Sequence, residues 1–318
     1  MNDLILQTSL LQVALPLFLI ALNAFVSIAS APGFMLRMSA ILLLLIYTAL
    51  AGIWLFLPWW TPYLLGMVHF AAGVWAFRRF SQVELLQRQR KTVIEIVAAI
   101  GVIIGAVILL YPALQGRQAD DIAIDLQMPL GPGRYLVISG GAHASINSHF
   151  LTLTLERAKA FRGQSYAVDI IGIDGWGMRA RGISPKDPKV YKIYGSEVLA
   201  PCAGRVSHVV DGVGDNEVPN MNREDMLGNA IMLDCNGVSV LLAHLAPGTL
   251  LVDERDVVSS GEVLGRVGNS GNSGEPHLHL HVQSKGLDDA PVAGEPLWFT
   301  VENRFLVRNN RIVVDEAR

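Results

Sequence analysis

Nearly all the long apolar runs of this 318-residue chain fall in its first 115 residues. Four of them, at about 4–28, 38–57, 61–77 and 93–114, match or approach the roughly 20 residues a helix needs to cross a hydrocarbon layer about 30 Å thick. A segment inside lipid must satisfy every backbone N–H and C=O within itself, so such segments are helices. The expected architecture is therefore an all-α transmembrane region of about four helices over 1–115. A linker over 116–130, a folded domain over 131–300 and a C-terminal extension over 301–318 follow it. His69 in the third segment is read as a packing residue. Glu95, close to the basic end of the fourth, is read as interfacial.

The positive charges give an orientation. Arg78, Arg79, Arg88, Arg90 and Lys91 lie between the third and fourth segments, and Arg37 lies between the first and second. Cytoplasmic loops carry the Lys/Arg excess, so both loops are predicted inside and both termini outside. The Trp59-Trp60 pair falls at the opposite interface. Met1-Asn2-Asp3 has no basic residue and makes a poor secretory leader, so the first segment is read as an anchor that stays. The chain is expected in a bacterial cytoplasmic membrane, with its C-terminal domain extracytoplasmic and the bilayer as one partner. A net charge of −3 and the absence of a basic stripe argue against a nucleic-acid partner.

Beyond Asp125 the pattern changes to short Val/Ile/Leu runs broken by Gly, Pro, Asn and Asp, which is the pattern of strands and turns. Strands are predicted at about 133–139, 167–173, 197–200, 204–210, 230–235, 239–244, 263–267 and 277–283, forming an antiparallel sheet or sandwich. The only helical turn expected lies near 153–161. Cys202 and Cys235 each lie at the end of a predicted strand in this exported half, where an oxidising compartment permits a bridge; two buried thiols are the alternative. The loop Gly268 to Gly274 is rich in glycine but leads into a strand, so it is read as a tight turn shaping a cleft rather than a phosphate cradle.

Pro276-His277-Leu278-His279-Leu280-His281-Val282 carries three of the chain's 8 histidines at strict alternation. On a strand, alternate side chains share a face, so three imidazoles line one side and aliphatics the other, as in the wall of a metal cleft. Upstream, in order, stand Asn147-Ser148-His149, Gln164-Ser165-Tyr166-Ala167-Val168-Asp169, Gly195-Ser196-Glu197-Val198-Leu199-Ala200-Pro201, Leu242-Ala243-His244-Leu245 and Gly261-Glu262-Val263-Leu264-Gly265.

This ordered series, over roughly 130–300, resembles the lysostaphin-type zinc metallopeptidases that cut peptide cross-bridges or stems of peptidoglycan. The resemblance implies a Zn²⁺ held by Asp169 and His279, with His277 and His244 acting on water and the oxyanion. Where the usual first motif has His four residues before the Asp, this chain has Ser165, a poor zinc ligand. It is similar in this to relatives with a Gln-x-Tyr-Ala-x-Asp motif and an upstream Asn-x-His, which makes His149 the third candidate ligand and His143 the runner-up. Leu242 stands where many members have Tyr. His281 has no role implied by the family. His208 is read as a surface residue, and Asp174, Asp215, Glu217, Glu224 and Asp225 as solvated loop carboxylates. The alternative reading is a degenerate domain that binds cell wall or regulates other wall hydrolases.

Overall fold

Ser30 accepts a hydrogen bond from the Gly33 backbone N–H, and Pro32 sits in the first turn, where its missing N–H costs nothing. Together they start a helix at Ala31 that runs to Ala51, with Gly52 closing it. The sequence pattern had placed this segment at 38–57; hydropathy marks the apolar stretch, whereas the cap sets the boundary. In the computed structural model, residues 2–28, 30–80, 89–286 and 292–316 are described, and they fall into two compact units, Met1–Leu114 and Gln115–Arg318.

Three helices among the described residues are long and apolar enough to cross a membrane: Leu6–Phe25, Ala31–Ala51 and Thr92–Gln115. The third segment does form a helix, Thr61–Phe80, but Thr61, Pro62, His69, Arg78 and Arg79 dilute its apolar character and it is not among the three. It packs on the first two through Ile20, Ile41, Leu45 and Leu65. His69 is buried and its Nε2 lies 3.0 Å from the Met38 carbonyl, a packing and hydrogen-bonding role. Glu95 pairs with Arg37 at 3.3 Å, so its charge is matched within the helical unit. Arg88 lies outside the described residues.

The second unit is a sheet protein. Its strands are β1 (Ile122–Leu126), β2 (Gly133–Ser139), β3 (Val168–Gly172), β4 (Glu197–Leu199), β5 (Gly204–Val210), β6 (Asn229–Cys235), β7 (Val238–Leu245), β8 (Val257–Val258), β9 (Val263–Arg266), β10 (Leu278–Gln283), β11 (Trp298–Val301) and β12 (Arg311–Val314). Eight form one sheet in the order β12-β2-β3-β10-β7-β6-β5-β8, all neighbours antiparallel. β4 and β9 pair separately, and β1 runs parallel to β11. All eight predicted strands are present within a residue or two. Four were not read from sequence: β1 and β12 came from stretches taken as linker and extension, and β8 and β11 are short. Each is held by partners far away in sequence, which local periodicity does not register.

Alternation on β10 divides the sheet's surroundings. Leu278, Leu280 and Val282, with Val168, Ile170, Ile231, Leu233, Val240 and Leu242, enter the main core, which Val198 and Leu264 of the small sheet close from outside. The opposite face carries a smaller apolar patch of Ala230, Met232, Leu241 and Ala243, covered by Phe161 and Val292. His279 and His281 lie opposite Ala243 and Leu241 in register. A short helix, Leu151–Thr154, and 3₁₀ turns over Glu156–Gln164 connect β2 to β3.

Cys202 and Cys235 are bridged, with Cα atoms 6.1 Å apart and a sequence separation of 33. A loop of that size gives about 3–4 kcal/mol in the chain-entropy estimate. Cys202→Ser with Cys235→Ser should lower the unfolding free energy of the second unit by up to that amount, measured by denaturant titration of protein isolated without reductant.

Candidate metal centre and catalytic histidines

The site begins with a register. β10 pairs with β3 so that His279 lies directly opposite Asp169 on the same face of the sheet. His279 Nδ1 is 3.0 Å from Asp169 Oδ1, and His149 Nε2 is 2.8 Å from Asp169 Oδ2. One donor atom from each of these three residues lies within 4.8 Å of the others, two imidazole nitrogens and a carboxylate oxygen. That number and type of donors fit a zinc ion with one position left open. His277 Nε2 is 3.7 Å from Asp169 Oδ1, and the His244 and His277 rings are 4.8 Å apart. The structure thus gathers Asp169, His149, His279, His277 and His244 around one point. His143, the other upstream candidate, instead bonds Ser145 through Nδ1 and stacks on Phe150. His208 is half exposed and pairs with Glu254.

Asn147 explains why His149 arrives. It is fully buried, and its Nδ2 donates to the carbonyls of Gly141 at 2.8 Å and Ala167 at 3.1 Å, joining the loop after β2 to the start of β3. Its Oδ1 accepts from His149 N–H at 3.0 Å and from Ser139 Oγ–H at 3.1 Å. A bulge between Val137 and Ser139 sets Ser139 opposite Asp169, which brings this clamp to the right height. Ser165, standing where a histidine was sought, is buried and donates to the Arg162 carbonyl at 2.6 Å, so it closes the turn before β3. Gln164 beside it hydrogen-bonds the His149 ring. The Asn-x-His and Gln-x-Tyr-Ala-x-Asp motifs are thus two halves of one support.

His244 reaches the cleft by a different device. Ala243 faces His279, so strict alternation would send His244 to the core side. Asn229 and Ala230 instead pair with Leu245 and Ala243, leaving His244 as the extra residue of a bulge, with φ of +65°. A left-handed φ on a non-glycine residue is uncommon and here re-aims the ring. Its Nδ1 lies 2.9 Å from the Ser270 carbonyl, which can only accept, so Nδ1 carries the proton. The loop bearing Ser270 packs tightly on β6: Gly228 has φ of +61° and Gly271 of +73°, and a side chain on either would collide with the other strand of backbone. Asp215, read as a solvated carboxylate, accepts from Asn269 N–H at 2.6 Å and from Tyr194 Oη–H at 2.7 Å and so braces this same loop.

His277 immediately precedes β10. Its Nδ1 lies 2.8 Å from the Glu275 carbonyl, and the Glu275 side chain is gripped by buried Arg179 at 2.9 Å. Burial opposes ionisation of Asp169, but the charges of His149 and His277 and the hydrogen bonds from His149 and His279 hold its carboxyl well below the usual range. Burial pushes His279 down to about 4 and His244 well below the ordinary imidazole value. The centre therefore holds an ionised carboxylate beside two imidazoles, His279 and His244, that burial keeps neutral, while Asp169 raises His149.

Asn147→Ala would leave two buried carbonyls and a backbone N–H without partners. It should destabilise the second unit by roughly 2–4 kcal/mol, read as a lowered denaturation midpoint, and Asn147→Asp should not restore it because the amide donors are lost.

The family model described as "Peptidase family M23" matches residues 189–291, a span that includes His244, His277 and His279 but begins after Asp169. The "DD-carboxypeptidase/endopeptidase Mpg" of Neisseria meningitidis serogroup B is 35% identical over 100 residues, 31% of this chain and 22% of that protein, and the protein of the same name from Neisseria gonorrhoeae matches equally. The chain thus aligns with less than a quarter of the length of these relatives. Among solved structures, the catalytic domain of lysostaphin from Staphylococcus simulans is 21% identical over 38% of this chain and 77% of that one, with a TM-score of 0.24. Over residues 189–291 this chain is thus similar to peptidase family M23.

Proposed function

We propose that this chain is a membrane-anchored zinc metalloendopeptidase that hydrolyses peptide bonds of peptidoglycan, in cross-links or stems. The convergence of His149, Asp169 and His279 within 4.8 Å, beside the two further histidines of an M23 domain, carries this reading. The wall substrate is supported by the Neisseria relatives, which are named for carboxypeptidase and endopeptidase activity. The degenerate alternative rests on Ser165 in place of a histidine. His149, 2.8 Å from Asp169, restores the missing donor.

His149, Asp169 and His279 would hold the ion. When bound, zinc polarises a carbonyl and acidifies water. His277 and His244 each donate their Nδ1–H to a backbone carbonyl, so in the neutral ring Nε2 is the basic atom. One of them accepts the proton of the attacking water at Nε2 and then returns it to the departing amine. Once protonated, the same Nε2–H is a donor to negative charge developing on the carbonyl oxygen. The carbonyls of Glu275 and Ser270 hold both rings in orientation for this exchange.

The three apolar helices, with Thr61–Phe80 as a fourth crossing about 30 Å long, would anchor the chain in a bacterial cytoplasmic membrane. Arg37, Arg78, Arg79, Arg90 and Lys91 then lie on the cytoplasmic side and the peptidase domain lies outside. A reporter active only in the cytoplasm, fused after Arg318, should be silent; strong signal would overturn this topology.

In purified full-length protein, His149→Ala, Asp169→Ala and His279→Ala should each abolish stoichiometric zinc. His277→Ala and His244→Ala should keep it and lose about 10²–10⁴-fold in the rate of muropeptide hydrolysis. Zinc retained by His149→Ala and lost by His143→Ala would refute the ligand assignment. Full activity in His244→Ala would refute its role.

A further inference from the structure

Two cavities lie between the helices Leu15–Phe25 and Thr61–Phe80. The larger, about 400 Å³, is lined by aliphatic and aromatic side chains alone, among them Leu17, Ala21, Val68, Ala72 and Trp75. The smaller, about 190 Å³, is bordered by Ser27, Ala76 and Arg79. Ala24 and Phe25 line both, so the two make one groove. Phe25 and Trp75 meet edge to face at the junction, 5.4 Å apart.

The length and the charge of this groove identify what fits it. Val68 and Arg79 are 11 positions apart on one helix. At 1.5 Å per residue that is about 16 Å, close to the depth of one leaflet, half of a hydrocarbon core roughly 30 Å thick. The groove is thus apolar through the depth of a leaflet and basic at one end. The Arg79 guanidinium stands 4.6 Å from the centre of the Trp75 ring, which holds it at that end. No Asp or Glu occurs between residues 4 and 83, so neither helix offers Arg79 a carboxylate. Ser27 adds a hydroxyl donor beside it. On the proposed topology this end lies in the cytoplasmic leaflet, where basic pockets between membrane helices take up phosphate-bearing headgroups.

We propose that the groove binds one anionic glycerophospholipid, with an acyl tail between the two helices and the phosphate on Arg79. This rests on the membrane reading of the helical unit and is independent of the zinc reading of the metal centre. A cation in the last turn of a helix also suits the unpaired carbonyls there. That role alone is indifferent to the lipid present, so headgroup preference is the discriminating readout.

The test is native mass spectrometry of the detergent-solubilised full chain. It is titrated with phosphatidylglycerol, with phosphatidylcholine of the same acyl chains, and with inorganic phosphate as the free anion. The wild type should retain one phosphatidylglycerol at about fivefold lower concentration than phosphatidylcholine, and should retain no phosphate over the same range. Arg79→Gln should abolish that preference and Arg79→Lys should keep it, because the charge carries it. Ala24→Phe fills the junction and should weaken both lipids by about tenfold. Far-ultraviolet circular dichroism shows that each variant keeps its helices. Equal retention of the two lipids by the wild type, a preference that survives Arg79→Gln, or free phosphate retained in place of lipid overturns the proposal and leaves the metal centre untouched. A full chain that stays in solution without detergent overturns the membrane reading itself, and the proposal falls with it.

Discussion

The centre depends on one cross-strand pair, His279 opposite Asp169. Side chains on a strand alternate with a period of two, so a slip of one residue between β3 and β10 would carry His279 and His281 into the core and Leu278 and Leu280 into the cleft. The burial of those leucines therefore fixes the register that makes the site. Asp169 is the common partner: His149 and His279 approach its two oxygens and His277 stands near one of them. An ionised carboxylate in a buried place is costly alone, and the histidines around it offset that cost.

Around this pair each further residue is brought in by a local departure from regular sheet. The bulge at Ser139 and the Asn147 clamp deliver His149. The left-handed bulge at His244 turns its ring into the cleft. The Gly228–Gly271 packing presses a loop carbonyl onto its Nδ1. Rigid strands supply the proposed metal donors Asp169 and His279, whereas the third, His149, comes from a shaped loop and His244 from a bulge in β7. That division suits a site in which donor spacing must be tight and rings must be oriented one by one.

Much of this was legible in the sequence. Alternation gave the shared face of His277, His279 and His281, and the ordered motifs pointed to Asp169, His244 and His149. Other features were invisible for physical reasons. β12 has weak local pattern and exists through its pairing with β2 about 180 residues earlier. The turn of His244 is a backbone conformation, not a residue type, and alternation predicts the wrong face for it. The start of the second helix was written in Ser30 and Pro32, a capping signal that hydropathy ignores. Asp215 looked like any loop carboxylate because the groups it braces are distant in sequence.

X-ray absorption at the zinc edge of the full chain, reconstituted with one equivalent of metal, addresses the centre most directly. The account predicts a first shell of two imidazole nitrogens and one carboxylate oxygen, with one further light-atom ligand, at about 2.0–2.2 Å, and His149→Ala should hold no zinc with this signature. A shell without two imidazoles, or one unchanged by removing His149, would contradict it.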